Sequence, residues 1–391
     1  MAKDNKDNTE GRITEEGLKE LRDLDGANLR IGKMRNGNEL VCRETIRHFA
    51  DGIGDTNPLY LDEEYAAKTS FKTLSAPPCW LYSVIGPGVQ HGLPGVHSFH
   101  AGDDWEFYKP IMLNDKIKGE AVARGYEEII GSTFAQRMIK QLQDRLYYNQ
   151  TGELIAKAKR WNLRTERSEI KRKGRYSNTK LPHPWTEEEL DKIKDQILSM
   201  KIRGSEVRYW EDVTVGEELP ALIKGPIGIT DEVAWTAGYA PGWLKANEAA
   251  FGIYARHPSW GFRDPDTFAM EPIAAVHWSK WAAKIAGLPY PYDLGAQRHS
   301  WVIQSLCNWM GDEGWVKRCY AEYRAFVFLS DVVWLKGTVT RKYLDENGEA
   351  CVDIATTGVN QRNEDTIPGK STVVLPSREK GTWPVRKRLP A

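Results

Sequence analysis

Two stretches of this 391-residue sequence carry side chains able to do acid–base chemistry on a small ligand. The first reads Gly54-Asp55-Thr56-Asn57-Pro58-Leu59-Tyr60 and follows a short amphipathic run. The Asn-Pro pair stops the preceding helix and leaves a carboxylate, an amide and a phenol together on a turn. We expect polar groups held in this way to converge on a small ligand.

This loop resembles the signature loop of the MaoC-like hotdog-fold acyl-CoA hydratases and dehydratases, which reads Gly-Asp-x-Asn-Pro-Leu-His. In that family the Asp and the His are the catalytic pair, so the resemblance assigns a catalytic role to Asp55. Tyr60 stands where the family has its His, and we expect it to bind substrate together with Asn57. The resemblance implies an α+β fold, the double hotdog, in which each of two units wraps a curved antiparallel sheet around a long helix. It also implies that the N-terminal unit is a FAS1-like dehydratase domain.

The absence of the His from this loop makes a second copy worth seeking. The pattern Asn-Gln-x-x-Glu starts at Asn149 and again at Asn360, a shift of 360 − 149 = 211. An Asp followed by Lys-Gly and a Val occurs at Asp115 and again at Asp331, a shift of 331 − 115 = 216. Two separate features at nearly one offset predict a duplicated fold.

The second chemically equipped stretch lies at the same offset. A shift of 217 carries Tyr60 to His277, which ends a short apolar run, and Gly295 follows 295 − 277 = 18 residues later, just before a helix predicted over Gln297 to Met310. A Gly lets the backbone come close to a carbonyl, and a helix N-terminus offers unpaired N–H groups to the oxyanion of an enolising thioester. The MaoC-like family places its catalytic His and its helix-starting Gly in this relation, so the resemblance assigns those roles to His277 and Gly295.

The carboxylate that works with His277 is open to three readings. Pro272 stands where the family has its Asp, and Glu271 is one residue away. Asp55 can also reach across from the first copy, or His277 can activate water alone. We expect Glu271 to serve. Because Ala76-Pro77-Pro78 falls where the first copy would need its Gly, and proline has no N–H to donate, the first copy is expected to bind and the second to catalyse.

Aromatic residues crowd an insertion from Tyr239 to Asp266 and the segments that flank the proposed site. They are Trp235, Tyr239, Trp243, Trp260, Trp278, Trp281, Trp301 and Trp309. Flat rings give large contact areas at little entropic cost, so we expect the insertion to cover a bulky, cyclic or branched acyl group. The alternative is that these rings only pack the insertion onto its own domain. Trp278, Trp301 and Arg298 are expected to contact substrate, with solvated charge as the alternative for Arg298.

The chain is long enough for two cores, and its texture predicts four segments. These are a polar arm over residues 1–37, an N-terminal hotdog over 38–165, a linker with a helix over 166–205 and a C-terminal MaoC-like hotdog over 206–391. The basic tract from Arg160 to Arg175 fits a solvated linker better than a nucleic-acid site. The two copies therefore fall in separate predicted units.

The composition of the chain indicates which partners and which cellular compartment to expect. The chain has 54 basic and 54 acidic residues, which favours neither a nucleic-acid nor an anionic-membrane partner. Five scattered cysteines without a Cys-x-x-Cys pair fit a reducing compartment. The charged N-terminus lacks the apolar core of a signal peptide, and no run of about 18 apolar residues occurs. We expect a cytoplasmic protein without a membrane partner.

Other reactive groupings are weaker. His97 and His100 lie in a strand-like segment, where residues three apart face opposite sides, so we expect no metal between them. The glycine runs lack the Lys-Ser/Thr of a phosphate loop, and no Gly-x-Ser-x-Gly elbow occurs. No metal or other cofactor is expected.

The residues and the resemblance together predict an acyl-CoA hydratase or dehydratase, a hydro-lyase that adds water reversibly to an α,β-unsaturated thioester. His277 would be the general base toward water, and a carboxylate would be the acid toward Cα. A catalytically silent acyl-CoA-binding or partner subunit is the alternative, and a hotdog thioesterase is a third. We expect a homo-oligomer or a hetero-oligomer with a related hotdog protein. The acyl group, the stereochemistry and the direction of the reaction are not specified by the sequence.

Overall fold

The structure, a computed structural model, describes residues 11–29, 37–85, 92–239 and 244–389. Residues 1–10 and 30–36 of the predicted arm and Trp243 of the insertion lie outside the described residues. The described part of the arm contains one short helix, α1 (Glu15–Asp23), which Thr14 caps by accepting a hydrogen bond from the Gly17 N–H.

The first unit places short helices against four long strands. Its helices are α2 (Arg43–Ile53), α3 (Pro58–Leu61) and α4 (Glu63–Lys68), and a 3-10 helix spans Pro78–Ser83. Its strands are β1 (Ser75–Ala76), β2 (His97–Phe107), β3 (Ile111–Met112), β4 (Lys118–Ile130), β5 (Arg137–Tyr148) and β6 (Leu154–Thr165). The strand-like segment expected around His97 and His100 is confirmed as part of β2.

Two helices occupy the predicted linker, α5 (Arg167–Lys173) and α6 (Glu187–Ser199). The α6 helix begins at a capping box, in which Thr186 and Glu189 each bind the other's backbone N–H. The division of the chain at residues 37, 165 and 205 stays a prediction, because the halves share one sheet.

The second unit repeats the pattern with an insertion and a longer central helix. Its helices are α7 (Ile229–Tyr239), α8 (Asn247–Arg256), α9 (Lys280–Ile285), α10 (Gly295–Met310) and α11 (Pro384–Arg388), with 3-10 helices at Trp210–Asp212, Pro258–Trp260 and Ile273–His277. Its strands are β7 (Leu222–Lys224), β8 (Gly261–Arg263), β9 (Met270–Pro272), β10 (Trp315–Glu322), β11 (Val333–Leu344), β12 (Ala350–Asn360) and β13 (Gly369–Val374).

Nine of the described strands form one antiparallel sheet in the order β4-β5-β6-β2-β10-β13-β12-β11-β7. The two units meet where β2 pairs with β10, with Trp105 opposite Cys319. Reading outward from that seam, β6, β5 and β4 on one side match β13, β12 and β11 on the other. Two sheets joined side by side around helices is the arrangement that the duplication predicts.

The duplication extends to individual hydrogen bonds. In the β5–β6 hairpin the Asn149 side-chain amide donates to Glu153 at 2.9 Å, and in the β12–β13 hairpin Asn360 donates to Glu364 at 2.9 Å. The Gln after each Asn binds the Asp of the second repeated feature: Gln150 binds Asp115 at 2.9 Å, and Gln361 binds Asp331 at 2.6 Å. The shifts of 211 and 216 therefore mark equivalent turns.

The helices obey the same offset. The starts of α4 and of the 3-10 helix at Pro78 correspond to the starts of α9 and α10, with shifts of 280 − 63 = 217 and 295 − 78 = 217. Tyr60 in α3 likewise corresponds to His277 in its 3-10 helix. Between α7 and that 3-10 helix lie the insertion, which contains α8 and β8, and then β9.

The helices α2 and α7 cross closely because each has a glycine at the contact. A Cβ on Gly52 would lie 2.8 Å from the Ala234 oxygen, and one on Gly238 would lie 2.4 Å from the His48 oxygen. The α10 helix lies in the core against the sheet, with 14 of its 16 residues buried. It carries the predicted second site at its N-terminus.

Candidate functional site

A cavity of about 680 Å³ lies where the two units meet, beside the N-terminus of α10. Its aromatic wall consists of Phe99, Phe134, Tyr176, Trp260, Tyr292, Tyr323 and Phe326, and four histidines also line it: His97, His100, His257 and His277. Apolar rings form much of the wall, and polar side chains that include six arginines line the rest, so the cavity has the character of a site for a small molecule with an apolar and a polar part.

His277 lies on the wall of this cavity with one ring nitrogen engaged. Its Nδ1 is 2.7 Å from the main-chain oxygen of Tyr292, and since a carbonyl only accepts, Nδ1 carries the proton. In the neutral ring Nε2 is therefore the basic nitrogen. Burial lowers the pKa of His277, although the Tyr292 carbonyl and the Asp293 carboxylate oppose that shift. The neutral, base-competent form is favoured near neutral pH.

Gly295 and Ala296 begin α10 at the same wall. No acceptor in the described parts of the chain binds the N–H of either residue, and Leu294 at the N-cap contributes no side-chain hydrogen bond. A Cβ on Gly295 would lie 2.6 Å from the Tyr323 ring, so only glycine fits. The helix thus presents two free N–H groups and its positive dipole end to the cavity.

Arg298 lines the cavity, but its guanidinium N–H groups donate hydrogen bonds to other groups of the protein. Its guanidinium forms a two-pronged ion pair with Asp293 and donates from Nη1 to the main-chain oxygens of Ala325 (2.7 Å) and Thr366 (2.8 Å). Arg298 and Asp293 are 3% and 2% exposed. The pair therefore anchors the first turn of α10 to the segment before it, and substrate contact by Arg298 stays a prediction.

The polar groups of the first loop lie elsewhere and serve the local turn. The Asp55 Oδ1 accepts from the Asn57 N–H at 3.0 Å, and the Asn57 Oδ1 accepts from the Leu59 N–H at 3.0 Å, which caps α3. Asp55 is 2% exposed, and burial raises its pKa, against the Asn57 N–H and the Lys224 charge. Asn57 and Tyr60 line a second cavity of only about 50 Å³.

Asp55 and His277 thus belong to equivalent loops but do not line a common cavity. Glu271, the expected partner of His277, lies in β9 opposite Phe262 and is not among the residues that line the large cavity. The structure therefore brings His277 and Gly295 together and leaves both expected carboxylates apart from them. The catalytic roles of Glu271 and Asp55 stay predictions.

The predicted aromatic contacts divide between cavity and core. Trp260 of the insertion lines the cavity, as does its neighbour His257, which stacks on it with a centroid separation of 4.3 Å. Trp301 is 2% exposed within the main core, and Trp278 packs against a second apolar cluster without lining the cavity. The remaining rings pack internally: Trp235, Tyr239, Trp281 and Trp309.

Sequence reasoning gave no role to two histidines of β2 that line this cavity. His97 is 6% exposed and lies against Phe99, with ring centroids 4.3 Å apart. His100 faces Tyr323 edge-on at 4.8 Å. A β-bulge between His100 and Gly102 interrupts the alternation of the strand, so that His100 and Asp103, three apart, contact each other. Only the His-x-x-His-x-x-Asp spacing signals this group.

Neither a metal site nor a membrane-spanning helix occurs in the parts of the chain that the structure describes. No group of three or more His, Cys, Asp or Glu side chains there has the geometry to hold a metal ion. None of the helices in the described ranges is long and apolar enough to cross a membrane. All five cysteines are free thiols.

Comparison with known proteins confirms the predicted resemblance. Residues 31–158 match the family model of the FAS1-like dehydratase domain region. The fold matches a MaoC-like dehydratase with a TM-score of 0.60 and 16% identity, over 90% of this chain and 99% of that chain. It also matches a Mycobacterium tuberculosis protein described as a double hotdog fold, with a TM-score of 0.50 and 9% identity, over 91% and 97%. The α+β double hotdog is therefore the fold of this chain.

Two curated relatives indicate the class of reaction but not the substrate. The chain is 30% identical over 173 residues to a probable enoyl-CoA hydratase alpha subunit of Thermomonospora curvata, which covers 37% of this chain and 52% of the relative. It is 28% identical over 101 residues to a 3-hydroxybutyryl-CoA dehydratase of Methylorubrum extorquens, which covers 26% and 64%. The chain spans about half the length of the first relative, and its relatives include hydratases and dehydratases.

Proposed function

We propose that this protein is an acyl-CoA hydro-lyase that adds water reversibly across the double bond of an α,β-unsaturated thioester, with His277 as the general base toward water. The observation that carries the proposal is the hydrogen bond from His277 Nδ1 to the Tyr292 carbonyl, which leaves Nε2 basic on the wall of a cavity that also contains the free N–H groups of α10. The hydratase and dehydratase relatives support the reaction class.

The proposed reaction divides the work between the two features. The N–H groups of Gly295 and Ala296 would bind the thioester oxygen, which draws electron density from the double bond and stabilises the enolate-like charge. His277 Nε2 would remove a proton from water as the water oxygen bonds to Cβ. A second group must deliver a proton to Cα, and no metal or redox cofactor is required by this chemistry.

The cavity fits a thioester with an acyl group of some bulk. Its volume of about 680 Å³ and its wall of seven aromatic rings offer stacking area well beyond that needed for a four-carbon chain. We propose that a ring-bearing or branched acyl group occupies it, with Trp260 of the insertion as one wall.

A silent acyl-CoA-binding subunit is the second candidate, and one observation favours it. In the first unit Tyr60 replaces the family His, and Pro78 stands at the position equivalent to Gly295, so that unit has no catalytic pair of its own. If the second unit also lacked turnover, a binding role in an oligomer with a related hotdog protein would remain.

The experiment is to incubate the full chain with crotonyl-CoA and with a ring-bearing enoyl-CoA such as cinnamoyl-CoA, and to follow loss of the absorbance of the conjugated thioester. We expect turnover that the His277→Ala variant loses. Release of free CoA thiol, measured in parallel, would instead identify a thioesterase. Binding of acyl-CoA by calorimetry without any turnover would select the silent subunit and reject the hydro-lyase.

A further inference from the structure

A second histidine, His100 of β2, lies on the wall of the large cavity with a carboxylate behind it. Its Nε2 is 2.7 Å from the Asp103 Oδ2, and its side chain is 9% exposed. The β-bulge after His100 makes this contact possible, because in a regular strand the side chains of residues three apart would lie on opposite faces.

Asp103 is held rigidly for this contact. It is 0% exposed, and its Oδ2 accepts hydrogen bonds from the hydroxyl groups of Tyr82 at 2.6 Å and Tyr323 at 2.8 Å. Burial by itself would raise the pKa of Asp103, but the neighbouring His100 and Arg160 lower it overall, so the carboxylate stays charged. The His100 Nε2 and the Asp103 Oδ2 are close but not aligned as a regular hydrogen bond. Because a lone pair at 2.7 Å from a carboxylate oxygen would be repelled, we place the imidazole proton on Nε2.

The other nitrogen of His100 is unused and lies beside the helix N-terminus. Its Nδ1 is buried and has no hydrogen-bond partner, and it would be 3.3 Å from a Cβ built on Gly295. Burial lowers the pKa of His100 to about 4, so Nδ1 offers a lone pair at neutral pH.

The location of His100 next to Gly295 indicates with which substrate atom it would exchange a proton. If the thioester oxygen binds the free N–H groups of Gly295 and Ala296, Cα is one bond from the carbonyl carbon and lies next to that helix end. His277 is held on the same wall by the Tyr292 carbonyl, three residues before Gly295. Both histidines therefore line the cavity beside the start of α10, where the reacting double bond would lie.

We propose that His100 is the catalytic acid–base group at Cα and that Asp103 is its positioning residue, so that this pair supplies what the second copy of the loop lacks at Pro272. The inference rests on the proposed hydro-lyase function. In dehydration His100 Nδ1 takes the Cα proton, the C–H electrons form the double bond, the Cβ–O bond breaks, and the protonated His277 gives its Nε2 proton to the departing hydroxide. In hydration each transfer reverses: His277 Nε2 takes a proton from the water whose oxygen bonds to Cβ, and His100, protonated at Nδ1 for this step, gives that proton to Cα. The pair therefore works with one proton, which solvent returns from His277 to His100 after each hydration and from His100 to His277 after each dehydration.

His299 provides a matched control for this role. It is 0% exposed, and its Nδ1 lies 2.8 Å from the hydroxyl group of Tyr82, so it belongs to the same buried network. It is not among the residues that line the cavity. A histidine that matters only for the network would resemble His299 in its effect on turnover, whereas a catalytic histidine would not.

The test is the hydration of cinnamoyl-CoA by the wild type and by His100→Gln, Asp103→Asn and His299→Gln, with kcat and KM measured separately. We expect His100→Gln to lower kcat by about 10²–10⁴-fold with KM changed only a few-fold, and Asp103→Asn to lower kcat by about 10²-fold. His299→Gln should lose at least about tenfold less than His100→Gln. Circular dichroism and calorimetric binding of a saturated acyl-CoA would establish that the variants fold and keep the site.

The outcomes separate the two proposals. An active wild type with His100→Gln within a few-fold of it, or with His100→Gln and His299→Gln equally impaired, overturns the role of His100 and leaves the hydro-lyase standing. A wild type that binds acyl-CoA without turning over any enoyl-CoA overturns the hydro-lyase and the role of His100 with it.

Discussion

His277 donates from Nδ1 to the main-chain oxygen of Tyr292 at 2.7 Å, and this single bond fixes which of its nitrogens is basic. The same arrangement, an imidazole held by a carbonyl through one nitrogen, orients histidines that act as bases through the other. Tyr292 lies three residues before Gly295, so the bond also ties the base to the start of α10. The distance between base and helix end is thereby set by a short segment of backbone.

His277→Ala should lower turnover by about two to four powers of ten, the usual worth of a positioned acid–base group, without unfolding the protein. Tyr60→Phe should have a far smaller effect, because Tyr60 lies on the small cavity of the first unit. Steady-state kinetics with an enoyl-CoA would measure both. Similar losses from the two variants would mean that the working half has been assigned wrongly.

Gly295→Ala keeps the N–H at this position but should displace it, so we expect kcat to fall by about 10²–10³-fold, the loss seen when one oxyanion donor is removed. The new methyl group would lie 2.6 Å from the Tyr323 ring and displace either that ring or the first turn of α10. Gly252→Ala in α8 is the control, since its Cβ would approach no atom closer than 3.7 Å. Unchanged kcat in Gly295→Ala would show that the α10 N-terminus does not bind the reacting thioester.

Arg298→Met should lower the free energy of unfolding by about 3–5 kcal/mol, because it leaves Asp293 as a buried charge without its partner. Urea denaturation would measure the change. Arg378→Met breaks the comparable two-pronged pair with Asp212, but there both side chains are about half exposed, so the expected loss is below about 1 kcal/mol. Equal losses from the two variants would contradict a special role for burial at α10.

Lys224 is a buried cation that links the units. Its Nζ donates to the main-chain oxygens of Ile53 at 2.6 Å and Gly54 at 3.2 Å. Burial lowers its pKa from 10.5 to about 8, although Asp55, Asp231 and Cys79 act in the opposite direction.

The unfolded chain therefore binds more protons than the folded chain between about pH 8 and 10.5, so the Lys224 contribution makes stability rise with pH through that window. Urea denaturation of the wild type and of Lys224→Met, at pH values on both sides of about 8, isolates this term as the difference between the two. The difference should favour the wild type increasingly as pH rises. A difference that is flat with pH would show that Lys224 titrates normally.

The repeat made much of this fold predictable. Hairpins that carry an Asn-Gln-x-x-Glu turn need the same side-chain bonds in both units, so the pattern survives at Asn149 and Asn360. The helix start at Gly295 was predicted two residues late, because the cap at Leu294 has no polar side chain to mark it. Elements that are stabilised by local side-chain hydrogen bonds are therefore those that can be predicted from the sequence.

The acid–base partner of His277 was harder to predict because its position depends on nonlocal structure. The role of His100 arises from the bulge before Gly102, where a Cβ would lie 2.0 Å from the Trp161 ring of the neighbouring strand. It also arises from the pairing of β2 with β10, which brings the two units together. Neither the bulge nor the strand pairing has a local sequence pattern. Glu271 was expected to serve because it is adjacent in sequence to Pro272, where the family has its Asp, but it lies in the β8–β9 hairpin.

The last prediction concerns the size of the acyl group. Of the tryptophans in the insertion that the structure describes, Trp260 lines the cavity, which Phe99, Phe134 and Phe326 also line. A flat acyl group can stack on several of these rings, whereas the four-carbon chain of crotonyl-CoA leaves most of them uncovered, and each ring contact is worth about 0.5–1.5 kcal/mol. We therefore expect a higher kcat/KM for cinnamoyl-CoA or a branched enoyl-CoA than for crotonyl-CoA.

Trp260→Ala should narrow that preference by removing one stacking surface while leaving kcat for crotonyl-CoA nearly unchanged, because Trp260 belongs to the insertion and not to the segments that carry His277, His100 and Gly295. The matched variant is Trp281→Ala, which removes an indole packed on Phe262 in the same region but outside the cavity lining. Ratios of kcat/KM for the two substrates, compared across the wild type and both variants, measure the effect directly. A kcat/KM for crotonyl-CoA equal to or above that for the bulky substrates would refute the assignment of the aromatic wall to the acyl group.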